Sequence, residues 1–299
     1  MKLSELTEVL IRSLVKDPDS VSVRQFDDEE DFITIEVLIS ALIAMLIFIP
    51  ILFIGGTLFN VAVYIISVLG LYEFIKIKEE KKELPSFIKF ISYILLSLII
   101  LFSSSKAVLE FSIDYRILSG LFIMYLIPTI LYHDRKIYSV NDAFYMLGGL
   151  IFIAASFSLL ISIREKSLLL LIYLFLISIM TDTYAYITGM LIGKHKMISE
   201  ISPKKTWEGM IGGTVVGVFI ATLFYHNFID NSLQLYILIM ITLFLSILGQ
   251  FGDLTFSAIK RYFNKKDFSN IMPGHGGVLD RFDSILFIML GFIFFISII

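Results

Sequence analysis

The chain has 299 residues, of which 57% are hydrophobic and 17% are charged, and its formal net charge is −3. Soluble domains average about 45–50% apolar and about 25% charged residues, so this composition and the mean hydropathy of +0.87 indicate an integral membrane protein. The slightly acidic balance gives no support to a nucleic-acid partner. Cysteine is absent, which excludes disulfides, thiolate-bound zinc and a cysteine nucleophile.

Residues 1–36 differ in composition from the rest, and we predict that they form a small cytoplasmic α+β extension. Their polar start predicts no cleavable signal peptide. Residues 6–16 fit an amphipathic helix, followed by a turn and two short predicted strands. The segment resembles the first half of small bacterial single-KH-domain RNA-binding proteins, but it lacks the Gly-x-x-Gly loop that clamps nucleic acid. We therefore expect no RNA binding, and we assign 37–299 to a second, transmembrane domain.

Nine apolar segments follow the extension, and a helix needs about 20 residues to cross the hydrocarbon core. They cover 37–54, 58–75, 87–102, 113–131, 143–163, 167–192, 209–225, 233–256 and 284–299. With the N-terminus inside, all but four of the 24 basic residues fall in cytoplasmic segments, as the positive-inside rule requires. The sequence therefore predicts an all-α membrane protein of about nine transmembrane helices with a cytoplasmic N-terminus.

The sixth predicted span carries polar residues in its second half. Asp182, Tyr186, Gly189 and Gly193 are four, three and four residues apart, so they share one face of a helix. A carboxylate inside a membrane helix is costly and usually faces protein or a water-filled cavity. A purely structural Asp beside glycines that allow close helix packing is the alternative.

A second cluster precedes the seventh span. Ser202 and Pro203 predict a helix start, and Lys204 and Lys205 place two cations beside the membrane surface. Taken alone, these residues are also consistent with a positively charged anchor next to an interfacial Trp207.

The densest polar cluster extends from residue 252 to residue 283. A polar face at the end of the eighth span is formed by Asp253, Ser257, Lys260 and Arg261. The glycines that follow free the backbone for positive φ and for close approach to an anion; they are Gly274, Gly276 and Gly277. Asp280 and Asp283, in a chain without cysteine, suggest a hard cation such as Mg²⁺.

All three clusters fall on the side that the charge distribution assigns to the cytoplasm. Carboxylates for a metal, cations for phosphate and a glycine-rich loop therefore converge at the lipid boundary. This arrangement predicts a site for a water-soluble polyphosphate and a phospholipid headgroup.

The third cluster resembles a known family signature. The pattern is Ser257-Ala-Ile-Lys260-Arg261-(x4)-Lys266-Asp267-(x5)-Pro273-Gly274-His275-Gly276-Gly277-Val278-Leu279-Asp280-Arg281-Phe282-Asp283. It is similar to the signature of phosphatidate cytidylyltransferases, also called CDP-diacylglycerol synthases, and so is the upstream segment 182–209. The resemblance covers about residues 37–299. It implies a multi-pass, metal-dependent and homodimeric enzyme of the inner (cytoplasmic) membrane, which converts CTP and phosphatidic acid into CDP-diacylglycerol and pyrophosphate at the cytoplasmic face.

The resemblance also implies site residues. The aspartates matching the family's metal centre are Asp253, Asp280 and Asp283, which we expect to hold Mg²⁺, with a second monovalent or divalent cation as an option. Phosphate contacts are assigned to Lys260, Arg261, Lys266 and Arg281. The substrate-binding set contains Ser202, Lys204, Lys205, Ser257, Gly274, Gly276 and Gly277. Asp267 and His275 complete the predicted catalytic set without a defined role, and Glu208 is a further acidic candidate.

Two alternatives belong to other classes. A CTP-dependent polyprenol kinase on the same scaffold would release CDP in place of pyrophosphate. An ion-coupled transporter should show inverted repeats and broken helices near the midplane, whereas the polar residues here cluster on one side and no repeat is visible. An inactive protein is a third reading, prompted by the unusual extension.

Overall fold

The computed structural model describes residues 46, 48–103, 115–132, 134, 136–271 and 276–295. The predicted extension (1–36) and most of the first predicted span lie outside these residues. Gly274 and His275 lie outside them as well, so the predictions made for these parts are not addressed by the fold.

The described residues are mainly helical. After a helical stretch at 48–54, the elements are α1 (Gly56–Glu79), α2 (Ser86–Ser103), α3 (Tyr115–Leu131), α4 (Val140–Lys166), α5 (Leu168–Ile192), β1 (Lys196–Ile198), β2 (Ser202–Thr206), α6 (Trp207–Phe228), α7 (Leu235–Tyr262) and α8 (Leu279–Phe292), followed by a 3₁₀ turn (Ile293–Phe295). Five of these helices, α1 and α4 to α7, are long and apolar enough to cross a membrane. The prediction of a helical membrane protein is confirmed, while the count of nine spans stays a prediction.

Hydroxyl side chains fix the starts of three helices. Ser139 and Asp142 form a capping box at the start of α4, and Ser167 accepts a hydrogen bond from the Leu170 amide at the start of α5. Thr206 accepts one from the Gly209 amide at the start of α6. Each cap satisfies an amide that a helix start leaves without an intrahelical partner.

The prediction of a helix start at Ser202 and Pro203 is wrong. Residues 202–206 form β2, which pairs antiparallel with β1, so that Lys196 lies opposite Thr206 and Ile198 opposite Ser202. The helix begins only at Trp207, after the Thr206 cap. Pairing between the two strands therefore overrides the local preference of Ser-Pro for a first helical turn.

Helix α4 is the centre of the bundle. Of its most apolar 18 residues, 78% are buried, compared with 39–44% for the other four candidate spans. It contacts α1, α2, α3, α5 and α8. The aromatic ring of Tyr145 stacks on Phe74 of α1, and its hydroxyl donates to the Phe74 carbonyl over 3.0 Å. Five of the seven other named helices therefore pack against α4, whereas α6 packs mainly on α5 and α7 mainly on α8.

Among the elements that the structure describes, helices α5 and α6 have the most extensive contact, because glycines take the place of larger side chains between them. Gly209, Gly213 and Gly217 recur every four residues on one face of α6, a spacing that lets membrane helices approach closely. A methyl group at Gly213 would overlap the Thr181 carbonyl oxygen and lie 2.7 Å from the Ala185 backbone nitrogen. This contact holds the Asp182 region of α5 against α6.

We expect Gly213→Ala to lower the free energy of unfolding by about 1–3 kcal/mol, the usual range for overpacking a tight interior. Gly148→Ala on α4 is the matched control, since a methyl group there meets nothing within 4 Å and alanine is the better helix former. Thermal unfolding in detergent measures both variants. Equal midpoints for the two variants would contradict the packing argument.

Ionic contacts tie the loops together at one end of the bundle. Asp142 is buried and binds Lys78, at 2.7 Å, and Lys82 of the α1 end. Lys265, which follows α7, pairs with Glu80 at 3.1 Å. At the other end, Arg164 donates to the carbonyl oxygens of Leu52 and Phe53, which end the helical stretch at 48–54. The lysine-rich segments therefore share one end of the bundle.

Candidate active site

A cavity of about 670 Å³ opens where α5, α6, α7, α8 and the hairpin meet, at the lysine-rich end. This volume falls in the range of small-molecule sites, about 300–1,000 Å³. Half of the lining residues are charged, with five basic and five acidic side chains: Lys196, Lys204, Lys205, Lys260, Arg281, Asp182, Asp253, Asp267, Asp280 and Asp283. The prediction that α5, the α6 start and the signature region converge on one polar site agrees with this placement.

Asp253 is held by a lysine from the hairpin. The Lys205 ammonium group lies 2.6 Å from its carboxylate, and both side chains are 28% exposed. The Ser257 hydroxyl donates to the other oxygen over 3.3 Å, one turn further along α7. Ser257 is thus a partner of Asp253 and is not among the residues that line the cavity.

Asp280 organises the signature loop around itself. One carboxylate oxygen accepts from the Lys260 ammonium group over 2.6 Å, and the two side chains are 4% and 10% exposed, respectively. The other oxygen accepts from the backbone amides of Phe268, at 2.9 Å, and Gly277, at 2.8 Å. The carboxylate therefore joins α7, the loop after it and the start of α8.

Asp283 lies one turn into α8 and adds to a concentration of negative charge. Its carboxylate is close enough to Asp253 and Asp182 for electrostatic repulsion, and Lys260 offsets part of this charge. Asp182 also lies near Lys205 and beside the hydroxyl groups of Ser178 and Ser284. Asp182 is exposed to the cavity that it lines. Three carboxylates thus face one space from three helices.

Two glycines of the signature loop are required by geometry. Gly276 has a φ of 79°, in the left-handed region that side chains disfavour. A methyl group at Gly277 would lie only 2.6 Å from a carboxylate oxygen of Glu73. The predicted positive φ is found at Gly276, while the predicted approach of the glycines to a bound anion stays a prediction.

The remaining predicted residues are placed less uniformly. Arg261 lies outside the cavity lining and donates to the backbone carbonyls of Ile201 and Lys265. Lys266 is exposed in a neighbouring cavity of about 330 Å³, and Asp267 lines both cavities. Ser202 lies in β2 but is not among the lining residues. Arg261 therefore fixes the hairpin to the loop in this structure.

Glu208, predicted only as an acidic candidate, lies in the first turn of α6 and binds the α5–β1 connection. Its carboxylate accepts from the backbone amides of Lys194 and His195 and pairs with the His195 ring at 2.5 Å. These contacts tie the start of β1 to the first turn of α6 and so position the hairpin that carries Lys205.

Three residues that contribute to the site were not predicted to do so. Lys196 and the buried Gln250 line the cavity, and Gln250 donates to the Thr214 hydroxyl over 2.7 Å. Glu73 of α1 binds the signature loop by accepting hydrogen bonds from its backbone amides. The sequence could have indicated a role for Glu73, since an ionisable residue inside a predicted span is itself a reason to expect function.

The donor set fits a hard cation, because carboxylates supply the oxygen ligands that Mg²⁺ prefers. In the part of the chain that the structure describes, no three His, Asp or Glu side chains are grouped so that they could hold a metal ion as they stand. The ammonium groups of Lys205 and Lys260 lie beside Asp253 and Asp280 instead. Cation binding would therefore require the two ammonium groups to move away from the carboxylates.

A helical membrane protein with a cavity of balanced charge at one end of its bundle belongs to the class that handles phosphate-bearing substrates at a membrane surface. More particularly, the chain belongs to the cytidylyltransferase family, whose sequence pattern matches residues 36–299. It is 36% identical over 252 residues to the phosphatidate cytidylyltransferase of Staphylococcus haemolyticus, and 34% identical to those of Staphylococcus saprophyticus and Staphylococcus aureus. Each match covers 84% of this chain and 94% of the relative.

Proposed function

We propose that this protein transfers the cytidylyl group of CTP to phosphatidic acid and forms CDP-diacylglycerol and pyrophosphate. The observation that carries the proposal is the cavity in which five basic and five acidic side chains meet at the end of a membrane-spanning bundle. Family membership and the name shared by the relatives support the same activity. Such a cavity gives a polyphosphate and a lipid headgroup access to one set of charges.

The chemistry needs positioning and charge neutralisation more than a base. A phosphate oxygen of phosphatidic acid attacks the α-phosphorus of CTP, a new P–O bond forms, and the bond to the β-phosphate oxygen breaks. A phosphate monoester has its second pKa near 6, so the nucleophile is largely ionised at neutral pH. Because both substrates are anions, the protein must offset their repulsion and hold them in line.

Asp253, Asp280 and Asp283 would hold Mg²⁺ in the loaded site. When bound, the ion supplies a positive charge that neutralises phosphate oxygens and orients the triphosphate. Lys205 and Lys260, which now pair with two of these aspartates, would then be available for phosphate oxygens. The lysines therefore balance the carboxylates in one state and bind substrate in the other.

Other basic residues are assigned by their position. Lys196 and Lys204 line the cavity from the hairpin and Arg281 lines it from α8, so phosphate groups of the two substrates can be bound by residues of two different elements. Lys266 faces the neighbouring cavity and is proposed to bind phosphate there. Arg261 supports the hairpin through its backbone contacts.

The proposal places the site at the cytoplasmic face of the inner membrane, in a chain of nine spans with its N-terminus inside. The positive-inside rule and the meeting of the lysine-rich segments at the cavity end support this orientation. A homodimer is expected from the family resemblance alone.

Two labels on CTP distinguish the proposed reaction from its alternatives. Purified protein is incubated with phosphatidate vesicles, Mg²⁺ and CTP labelled on either the α- or the γ-phosphorus. We expect the α-label in the lipid extract and the γ-label in aqueous pyrophosphate, with neither transfer when phosphatidate is omitted. A polyprenol kinase would place the γ-label in the lipid of undecaprenol vesicles and release CDP, and a transporter would leave both labels in CTP.

A further inference from the structure

Glu73 is a carboxylate buried inside α1, with an exposed fraction of 0%. It lies among apolar neighbours in a helix that is long enough to cross the membrane. A buried carboxylate is destabilising unless hydrogen bonds compensate it. The hydrogen-bond partners of Glu73 therefore indicate its structural role.

All hydrogen bonds that the structure gives Glu73 come from the signature region about 200 residues away. One oxygen accepts from the Ser269 hydroxyl, at 2.6 Å, and from the Val278 amide, at 2.8 Å. The other accepts from the Leu279 amide, at 2.8 Å. Glu73 thus binds the loop that follows α7 and the first residues of α8.

The contact supplies the cap that α8 does not provide for itself. Val278 occupies the cap position and offers no side-chain hydrogen bond, so the first amides of α8 need an acceptor from elsewhere. A carboxylate there also interacts favourably with the positive end of the helix dipole. Gly277 permits this approach, because a side chain at that position would overlap the Glu73 carboxylate.

We propose that Glu73 is a positioning residue, which fixes the first turn of α8 so that Asp280 and Asp283 face the cavity. The role rests on the proposed function, because these two aspartates are its reacting-site residues. Asp280 lies one residue after Leu279, and the Gly277 amide that it binds is adjacent to the Val278 amide that Glu73 binds. A shift of this turn would move both carboxylates together, whereas the buried apolar residues farther along α8 would still anchor the helix.

Glu73→Gln is the direct test, because it keeps the side-chain shape but turns one acceptor into a donor that opposes the amides. We expect kcat to fall about tenfold, while KM for CTP and for phosphatidate changes much less, since a small misplacement of reacting groups is enough for such a loss. Asp142→Asn is the matched control, as Asp142 is also buried and caps α4 without contacting the signature loop. A kcat for Glu73→Gln equal to that of Asp142→Asn would overturn the proposal.

A double-mutant cycle tests whether a glycine is required at position 277 because of the contact with Glu73. We expect Gly277→Ala to lower kcat in the wild-type background and to have a much smaller effect in a Glu73→Ala background, where the overlap is removed. Equal fold losses of kcat in both backgrounds would show that Gly277 is required by a contact other than the one with Glu73.

Amide hydrogen exchange tests the proposal without relying on activity. We expect the peptide that contains residues 276–282 to exchange faster in Glu73→Gln than in wild type, while α4 and α5 keep their protection. Unchanged exchange at 276–282 would overturn the positioning role. Absence of labelled CDP-diacylglycerol from the wild-type protein would instead overturn the proposed function, so the two failures are distinguishable.

Discussion

Asp253→Asn should lower kcat by at least about a hundredfold, the size of effect typical when one group that stabilises the transition state electrostatically is removed. Asn keeps the volume of the side chain but removes the negative charge that a cation between the protein and the triphosphate requires. Stability should change little, because the partner Lys205 is 28% exposed and can be hydrated when the ion pair is lost. Initial rates with α-labelled CTP and thermal unfolding measure the two effects separately.

The control for this substitution is Asp230→Asn. Asp230 is exposed in the connection between α6 and α7, at the end of the bundle away from the cavity, and its carboxylate accepts from the amide and the hydroxyl group of the nearby Ser232. Its kcat should match that of wild type. A near-normal kcat for Asp253→Asn would contradict the assignment of Asp253 as a metal ligand.

Asp280→Asn should lower kcat at least about a hundredfold and should also destabilise the protein. The Asp280 and Lys260 side chains are 4% and 10% exposed, and removing one partner of a buried ion pair costs about 3–5 kcal/mol, because the other charge stays uncompensated. The Asp280 carboxylate additionally accepts two backbone amides of the loop. The variant should still reach the membrane but unfold at a lower temperature than Asp253→Asn.

The double variant Lys260→Met/Asp280→Asn separates the two contributions of Asp280. Removing the unpaired ammonium group should restore much of the lost stability, since buried ion pairs are often replaceable by apolar groups. Activity should not return, because both the carboxylate and the phosphate-binding lysine are absent. Recovery of activity together with stability would assign Asp280 a purely structural role.

Much of the helical framework could be predicted from local patterns. The predicted span 167–192 corresponds to α5 (Leu168–Ile192), because a long apolar run in lipid must satisfy its backbone hydrogen bonds internally. The polar face of Asp182, Tyr186 and Gly189 was likewise predictable from spacing, and these residues line the cavity. In contrast, β2 was predicted as a helix start, since its extended form depends on pairing with β1.

The sequence was a better guide to which residues belong to the site than to which of them contact one another. Glu73 and Val278 are separated by about 200 residues, and no local pattern reveals that one caps the other. The same holds for Lys205, which was assigned to substrate binding, and Asp253, which was assigned to the metal: the Lys205 ammonium group lies 2.6 Å from the Asp253 carboxylate. Arg261 shares a predicted helical face with Asp253 and Lys260, yet its guanidinium group binds the hairpin and the loop.

By itself, the sequence determined that this is a helical membrane protein whose carboxylates, cations and glycines are concentrated in three segments. That much follows from composition and from the period of the helix, which act over a few residues. Only the tertiary structure decided which charges neutralise one another, that a hairpin precedes α6, and that a glutamate from α1 holds the start of α8. These features depend on helix packing between distant segments, which brings Asp253, Asp280 and their lysines into one cavity and is not encoded in the spacing of any single segment.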